Sequence, residues 1–255
     1  MTLHIAGEPL IAYLLASLRI AAWLVVMPPF SSKAVPTMAK AVLSLGLAFA
    51  VLPGMAESKI PTGTVELAMS AVTQALIGAS MGFVTYLIFA AIQAAGSLID
   101  IFGGFALAQA FDPLSFNMNT IFGQLHQMLA TMLLFASGAH LIVIGGLLKT
   151  FDLMPVGGSV QALKVTDVVI TAFGLFFASA VQIALPMIAV LFVADLGLAM
   201  MTKVAPQLNA ITVMFPAKIG LTLLLVGLSF PVLPGVVSRM VDLAVEAMAT
   251  MAGAR

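Results

Sequence analysis

Proline, glycine and short polar clusters cut the apolar pattern of this 255-residue chain into six stretches. The first covers Leu10–Met27 and stops at Pro28-Pro29, because proline cannot supply the next helical N–H. The second, Met38–Leu52, ends at Pro53-Gly54. A third runs from Val65 to Ala95 and closes at Gly96. The fourth is Leu125–Leu148, the fifth Val168–Met201 and the sixth Ile211–Val232. A membrane-crossing helix needs about 20 apolar residues. The second stretch, at about 15, is short by that measure. The third and fifth, at more than 30 residues each, must tilt, kink or project from lipid. Pro186 predicts a kink in the fifth.

Between the third and fourth stretches lies Leu98–Gln124, which fits no simple span. Its first part, Leu98–Phe111, is apolar and rich in glycine and alanine, and at about 14 residues suits a re-entrant or internally buried segment. Asp112-Pro113 and the polar run Ser115–Thr120 follow. Irregular backbone at membrane depth is tolerated only inside protein or along a water-filled cavity. The stretch is therefore an external loop or the lining of something central.

Composition sharpens this picture. Hydrophobic residues make up 62% of the chain and charged residues 8%, against about 25% charged in an ordinary soluble domain. So few charges cannot cover a water-facing surface, so lipid or partner protein must do so. No polar linker divides the chain, which reads as a single domain over residues 1–255. Ten Lys and Arg balance ten Asp and Glu, with no basic run to bind nucleic acid. There is no cysteine, which excludes disulfides, thiol catalysis and cysteine metal sites. Residues 1–9 carry no Lys or Arg, so the first stretch lacks the positive flank of a secretory signal. Trp23, Tyr13 and Tyr86 are a thin interfacial aromatic belt. With six simple spans, one side would hold Lys33, Lys40, Lys203 and Lys218, the other Lys59, Lys149, Lys164, Arg239 and Arg255. That near-balance sets no orientation by the positive-inside rule. It fits helices that do not all cross the bilayer, or a weakly biased six-span protein.

Candidate chemistry is sparse. Arg19 stands mid-way along the first apolar stretch, where a charge is costly unless it faces a partner, a pore or the interface. Asp195, Gln93 and Gln182 are polar points among apolar neighbours, suited to interhelical hydrogen bonds. A transporter would use Asp195 as an ion site together with Arg19, but only Asp100 offers a second intramembrane carboxylate. His126 and His140 fall on one expected helix, about 21 Å apart along its axis, too far for one metal. His4 lies in the polar N-terminus, and no HExxH, GxxxxGK[ST] or GxSxG pattern occurs. The sequence therefore supports no metal, cofactor or enzyme chemistry. Gly78 and Gly82 form a GxxxG pair that lets helix backbones approach closely. Ala90, Ala94, Ala91 and Ala95 continue the small-residue spacing, and 17 methionines can fill gaps or line adaptable surfaces.

Several motifs together carry a resemblance. They are Leu185-Pro186-Met187, Ala194-Asp195-Leu196-Gly197-Leu198, Ala205-Pro206-Gln207-Leu208-Asn209 and Phe215-Pro216. Leu18-Arg19, Pro29-Phe30-Ser31-Ser32 and Val35-Pro36 precede them, with Gly103-Gly104-Phe105-Ala106, Asp112-Pro113, Gly138-Ala139-His140 and Phe151–Gly158 between. On these the chain resembles, over about residues 10–235, the FliR/SctT family of flagellar and type III secretion export-apparatus proteins.

The resemblance implies an all-α membrane protein of kinked helical hairpins, stacked into a ring partly above the lipid. It implies a non-enzymatic subunit of an export gate in the bacterial inner membrane, at the flagellar basal body. Its partners would be FliP-like, FliQ-like and FlhB-like subunits and membrane lipid, with unfolded exported proteins passing through. A plug-like loop at about Ala110–Gly123 is implied, including Phe111, Asp112, Pro113, Ser115, Phe116, Asn117, Met118 and Asn119, after the glycine-rich Gly103 and Gly104. Arg19, Gly78, Gly82, Asp195, Pro206 and Gln207 are the residues expected to pack against partners. Asp100 is a departure, standing where the family leads one to expect glycine or a neutral residue. Flagellar and injectisome systems are both open.

Overall fold

The computed structural model of the protein describes residues 7–55, 63–105, 120–156, 162–204 and 210–253. Among the described residues every regular element is helical. In chain order these are α1 (Gly7–Val26), α2 (Thr37–Val51) with a 3-10 turn at Leu52–Met55, and α3 (Thr64–Gly103). They continue with α4 (Ile121–Ala136), α5 (Ala139–Leu153), α6 (Ala162–Val204), α7 (Ala210–Ser229), a 3-10 turn at Phe230–Val232, and α8 (Leu233–Ala252). Five helical stretches are long and apolar enough to cross a membrane, or six if the bent α4–α5 pair counts as one span. The chain is an all-α membrane protein.

The proline-bounded elements match expectation. Pro28-Pro29 follows α1, and Pro36, extended at φ −58° and ψ 144°, precedes α2. Three expectations are corrected. Gly96 does not close the third helix; α3 continues to Gly103, and residues 98–103 belong to it instead of starting a separate re-entrant segment. One glycine costs a helix only about 1 kcal/mol, which tertiary packing offsets. Conversely, Leu125–Leu148 is not one helix, because α4 and α5 are bent by 76° where Gly138 turns left-handed at φ 73°. Glycine alone takes that conformation without strain. Finally, the sixth apolar stretch is followed by a helix the apolar runs did not reveal, α8. Its signature is an amphipathic one: Val237, Val241, Ala244, Met248 and Met251 are buried, while Arg239, Asp242 and Glu246 stand on the less buried side.

The chain forms two compact units. The first comprises the described parts of residues 1–89, 137–174 and 240–255. Its core is built from Ile20, Trp23 and Leu24 of α1, Met81 of α3, Leu147 of α5 and Met248 of α8. Helix α1 packs against α2 and the turn at Leu52–Met55, which also meets α5. Gly78 and Gly82 bring α3 against α1 at backbone level. A Cβ on Gly78 would run into the carbonyl oxygen of Arg19, and one on Gly82 would sit 3.0 Å from that of Trp23. Gly146 of α5 likewise admits Val245 of α8, whose Cγ2 would lie 2.9 Å from an added Cβ. Where lipid is as apolar as leucine, such close packing is what holds helices together.

The second unit comprises the described parts of residues 90–136 and 175–239. Its core joins Ala95 and Ile99 of α3, Phe122 of α4, Ala184 and Met187 of α6, and Val226 of α7.

Candidate functional site

The second unit contains the two helix ends that flank residues 106–119. The first N–H groups of any helix have no intrahelical acceptor and, away from water, must find one elsewhere. In α4 those donors are served from α3. Asp100 Oδ2 accepts hydrogen bonds from the backbone N–H of Phe122 at 2.9 Å and of Gly123 at 3.3 Å. Asp100 is only 1% exposed. A buried carboxylate is costly unless paired, and the positive end of a helix offsets that cost.

Further contacts concentrate at this crossing. The hydroxyls of Ser97 and Thr120 are 2.7 Å apart. A Cβ on Gly96 would run into the carbonyl oxygen of Phe122 and lie 2.6 Å from its carbonyl carbon. One on Gly123 would collide with Thr120 and lie 2.7 Å from Ser97 Oγ. Phe105 meets Phe122 edge-on, with ring centroids 4.8 Å apart. Buried His126 bonds through Nδ1 to the Phe122 carbonyl at 2.8 Å.

Helix α7 abuts the glycine-rich end of α3. A Cβ on Gly103 would come within 2.7 Å of Thr222 Cγ2. Gly104, at φ 86°, turns the chain beside Phe215 and Lys218, 3.8 Å from where a Cβ would stand. Lys218 Nζ in turn donates to Asp195 Oδ2 at 2.8 Å, tying α7 to α6. Thr222 donates back to the Lys218 carbonyl at 2.8 Å.

A second polar cluster lies in the first unit. Arg19 is completely buried. Its Nε donates to Gln74 Oε1 at 2.7 Å and its Nη1 to the Met154 carbonyl at 3.0 Å. Its guanidinium carbon stands 4.2 Å from the centroid of the Phe151 ring. Gln74 Nε2 donates onward to the Val156 carbonyl at 2.7 Å. The cluster therefore binds the carbonyl-rich end of α5 to α1 and α3, where a cation is favoured.

Several expected site residues are relocated by this geometry. Arg19, Gly78 and Gly82, expected to face partners, are enclosed by their own chain. Backbone approach between α1 and α3 uses both glycines, and Arg19 finds its acceptors on α3 and beyond α5. Asp195 pairs with Lys218 and is 38% exposed at its side chain. His126 and His140 are not on one helix; they belong to α4 and α5. Among the described residues no group of three or more His, Asp or Glu could hold a metal. Phe111, Asp112, Pro113, Ser115, Phe116, Asn117, Met118, Asn119, Pro206 and Gln207 lie outside the described residues. Gln74 and Lys218 were not singled out by any sequence pattern, and Asp100 had no structural role there. Each is a lone polar residue in an apolar helix, which was the available signal.

Comparison with known proteins places this geometry. The profile of the bacterial export proteins, family 1, matches residues 10–244. The flagellar biosynthetic protein FliR of Bacillus subtilis (strain 168) is 30% identical over 244 residues, covering 93% of each chain. FliR of Escherichia coli (strain K12) is 31% identical over 192 residues, 75% of this chain and 74% of that one. The Yop proteins translocation protein T of Yersinia pestis is 25% identical over 213 residues, 82% of each chain. The chain thus belongs to the bacterial export proteins, family 1, and is a relative of the flagellar FliR proteins and of their type III secretion counterpart.

Proposed function

We propose that this protein is a non-enzymatic subunit of a type III export gate of the flagellar kind. With FliP-like, FliQ-like and FlhB-like subunits it forms the channel through which unfolded substrates leave the cell. The family-length match over residues 10–244 supports reading the chain as one such module. Its site is the bacterial inner membrane, at the base of the flagellum. The segment at residues 110–123, whose last three residues already open α4, acts as a plug that helps close the path, and Pro206, Gln207 and Asp195 contribute to packing against partners.

The observation that carries this reading is the outer face of α6 within the second unit. From Phe177 through Leu185, Val193 and Met200 to Val204, large apolar side chains stay about half or more exposed. At about 1.5 Å per residue that face is about 40 Å long, longer than the roughly 30 Å of bilayer hydrocarbon. A face of this length calls for protein as well as lipid to cover it.

Isolation from native membranes in mild detergent tests the proposal. The chain is expected to elute in a large complex with other membrane subunits of the export apparatus. Recovery as a solitary, monodisperse protein that binds a small solute would contradict it and favour a transporter.

A further inference from the structure

Polar side chains on the outside of a membrane helix need water or a hydrogen-bond partner. In the second unit they are not scattered. We propose that one edge of the α3–α4 pair, carrying Gln93, Ser97, Gln124 and Thr131, lines the hydrated path along which the exported polypeptide passes. The inference deepens the proposed function and rests on it, because it names the part of this chain that meets the passing substrate.

On α3, Gln93 is the one exposed residue from Ala90 to Asp100, and Ser97 follows it one turn later, half-buried. On α4, Gln124 is exposed, and Gln127 and Thr131 are half-buried. At about 3.6 residues per turn these three lie within about 60° of one another. The neighbouring arc of α4 holds Ile121, Met128, Met132 and Phe135, all exposed and all apolar. The outside of α4 is thus divided lengthwise into a polar edge and an apolar one. Helix α4 meets α3 through Gly123, one turn before Gln127. A Cβ there would lie 2.7 Å from Ser97 Oγ and 3.2 Å from the Gln93 carbonyl oxygen. The polar edge is therefore the one next to Gln93 and Ser97, and the two sets form one stripe across the crossing.

A surface divided in this way marks a boundary between two media. The apolar arc suits lipid or a partner helix. The stripe keeps hydrogen-bonding capacity that its own chain does not use. Among the described residues the side-chain amides of Gln93 and Gln124 make no hydrogen bond, and Gln127 Oε1, enclosed by the chain, has no partner. A single glutamine would serve to tie one neighbouring helix. A row that continues from one helix to the next is instead the pattern of a wall against water. The stripe is also neutral, since the ionisable residues of this pair, Asp100 and His126, are buried. Neutral amides and hydroxyls both donate and accept. They therefore suit the N–H and C=O groups of an extended backbone, whatever side chains it carries.

The chain has no cysteine of its own, so single cysteines report their surroundings in the assembled apparatus in cells. Gln93→Cys and Gln124→Cys test the stripe, and Met128→Cys and Met132→Cys test the apolar arc of α4. The probe is a small, positively charged methanethiosulfonate that does not cross lipid. Only the thiolate reacts, and apolar surroundings suppress it. In exporting cells the two stripe positions are expected to label at least about tenfold faster than the two methionine positions. An export substrate arrested in transit, by fusion to a domain that does not unfold, is expected to slow labelling at positions 93 and 124 several-fold. It should leave positions 128 and 132 unchanged.

Labelling at positions 93 and 124 no faster than at 128 and 132 overturns the proposal, and puts the amides against a partner helix or lipid instead. So does rapid labelling that the arrested substrate leaves unchanged, because the stripe would then face water outside the path. Should Gln93→Cys or Gln124→Cys fail to accumulate, Ser97→Cys, which exchanges one oxygen for sulfur, carries the same two measurements. Co-purification separates this inference from the gate reading. Failure of the labelling pattern in a complex that contains the other export subunits removes the stripe alone. Isolation as a solitary protein removes the gate reading, and the inference with it.

Discussion

Arg19 and Gln74 meet through a 2.7 Å hydrogen bond in which both side chains are buried. The amide is a relay, since it accepts from the guanidinium and donates to the Val156 carbonyl. Replacing Gln74 by Leu leaves Arg19 Nε and the Val156 carbonyl without partners. Loss of one partner of a buried charged network costs about 3–5 kcal/mol. Gln74→Leu is expected to lower the unfolding midpoint in detergent sharply. The double variant Arg19→Met, Gln74→Leu is expected to lose less than the two single losses combined, by about 1–3 kcal/mol. Additive losses in that cycle would show that the pair is not coupled.

Two helical glycines of this chain, Gly78 and Gly46, have opposite expected responses to alanine. Gly78→Ala would push a methyl into the Arg19 carbonyl and force α1 from α3. It is expected to cost about 2 kcal/mol or more, in the range of overpacked interiors. Gly82→Ala, whose contacts are at 3.0 Å, should cost less. At Gly46 of α2 an added methyl meets nothing within 4 Å among the described residues. Gly46→Ala should therefore stabilise by about 0.4–1 kcal/mol, by restricting the unfolded chain. Thermal unfolding of the three variants in one detergent ranks them.

The Asp195–Lys218 pair, at 2.8 Å, ties α6 to α7 beside Gly104. Removing either charge leaves the other unpaired in apolar surroundings, whereas exchanging them keeps the attraction. Asp195→Lys and Lys218→Asp alone are expected to reduce the yield of assembled complex several-fold, as expected of an unpaired intramembrane charge. The two together should recover most of it. Equal yields for all three variants would make the ion pair incidental.

Deletion of Ser115–Thr120 is expected to raise ion leakage through the assembled complex while partner subunits still co-purify. Conductance unchanged from the intact complex would remove the plug role from this segment.

The contacts around Asp100 mark the limit of what the residue order makes legible. Small residues at Gly96, Gly103 and Gly123 mark close packing in general, but not which helix each one admits. Asp100 read as an out-of-place charge because its two donors, on Phe122 and Gly123, lie on another helix. The same distance hid Gln74, whose hydrogen bonds run to Arg19 and Val156. Helical spacing puts His126 and His140 on one expected helix, and Gly138 at φ 73° ends that helix between them.

Residue order alone established that this chain is helical, that it belongs in or against a membrane, and which export family it joins. Sparse charge, long apolar runs and prolines act locally or in aggregate, so they can be read without knowing what touches what. Packing settled the rest. It made Gly96 continue a helix while Gly138 breaks one, turned Arg19 and the GxxxG pair toward the chain's own helices, and set Asp100 as the cap of α4. Each of those outcomes depends on the residue brought opposite. A glycine or a buried charge has no fixed meaning until its neighbour across the packing interface is known.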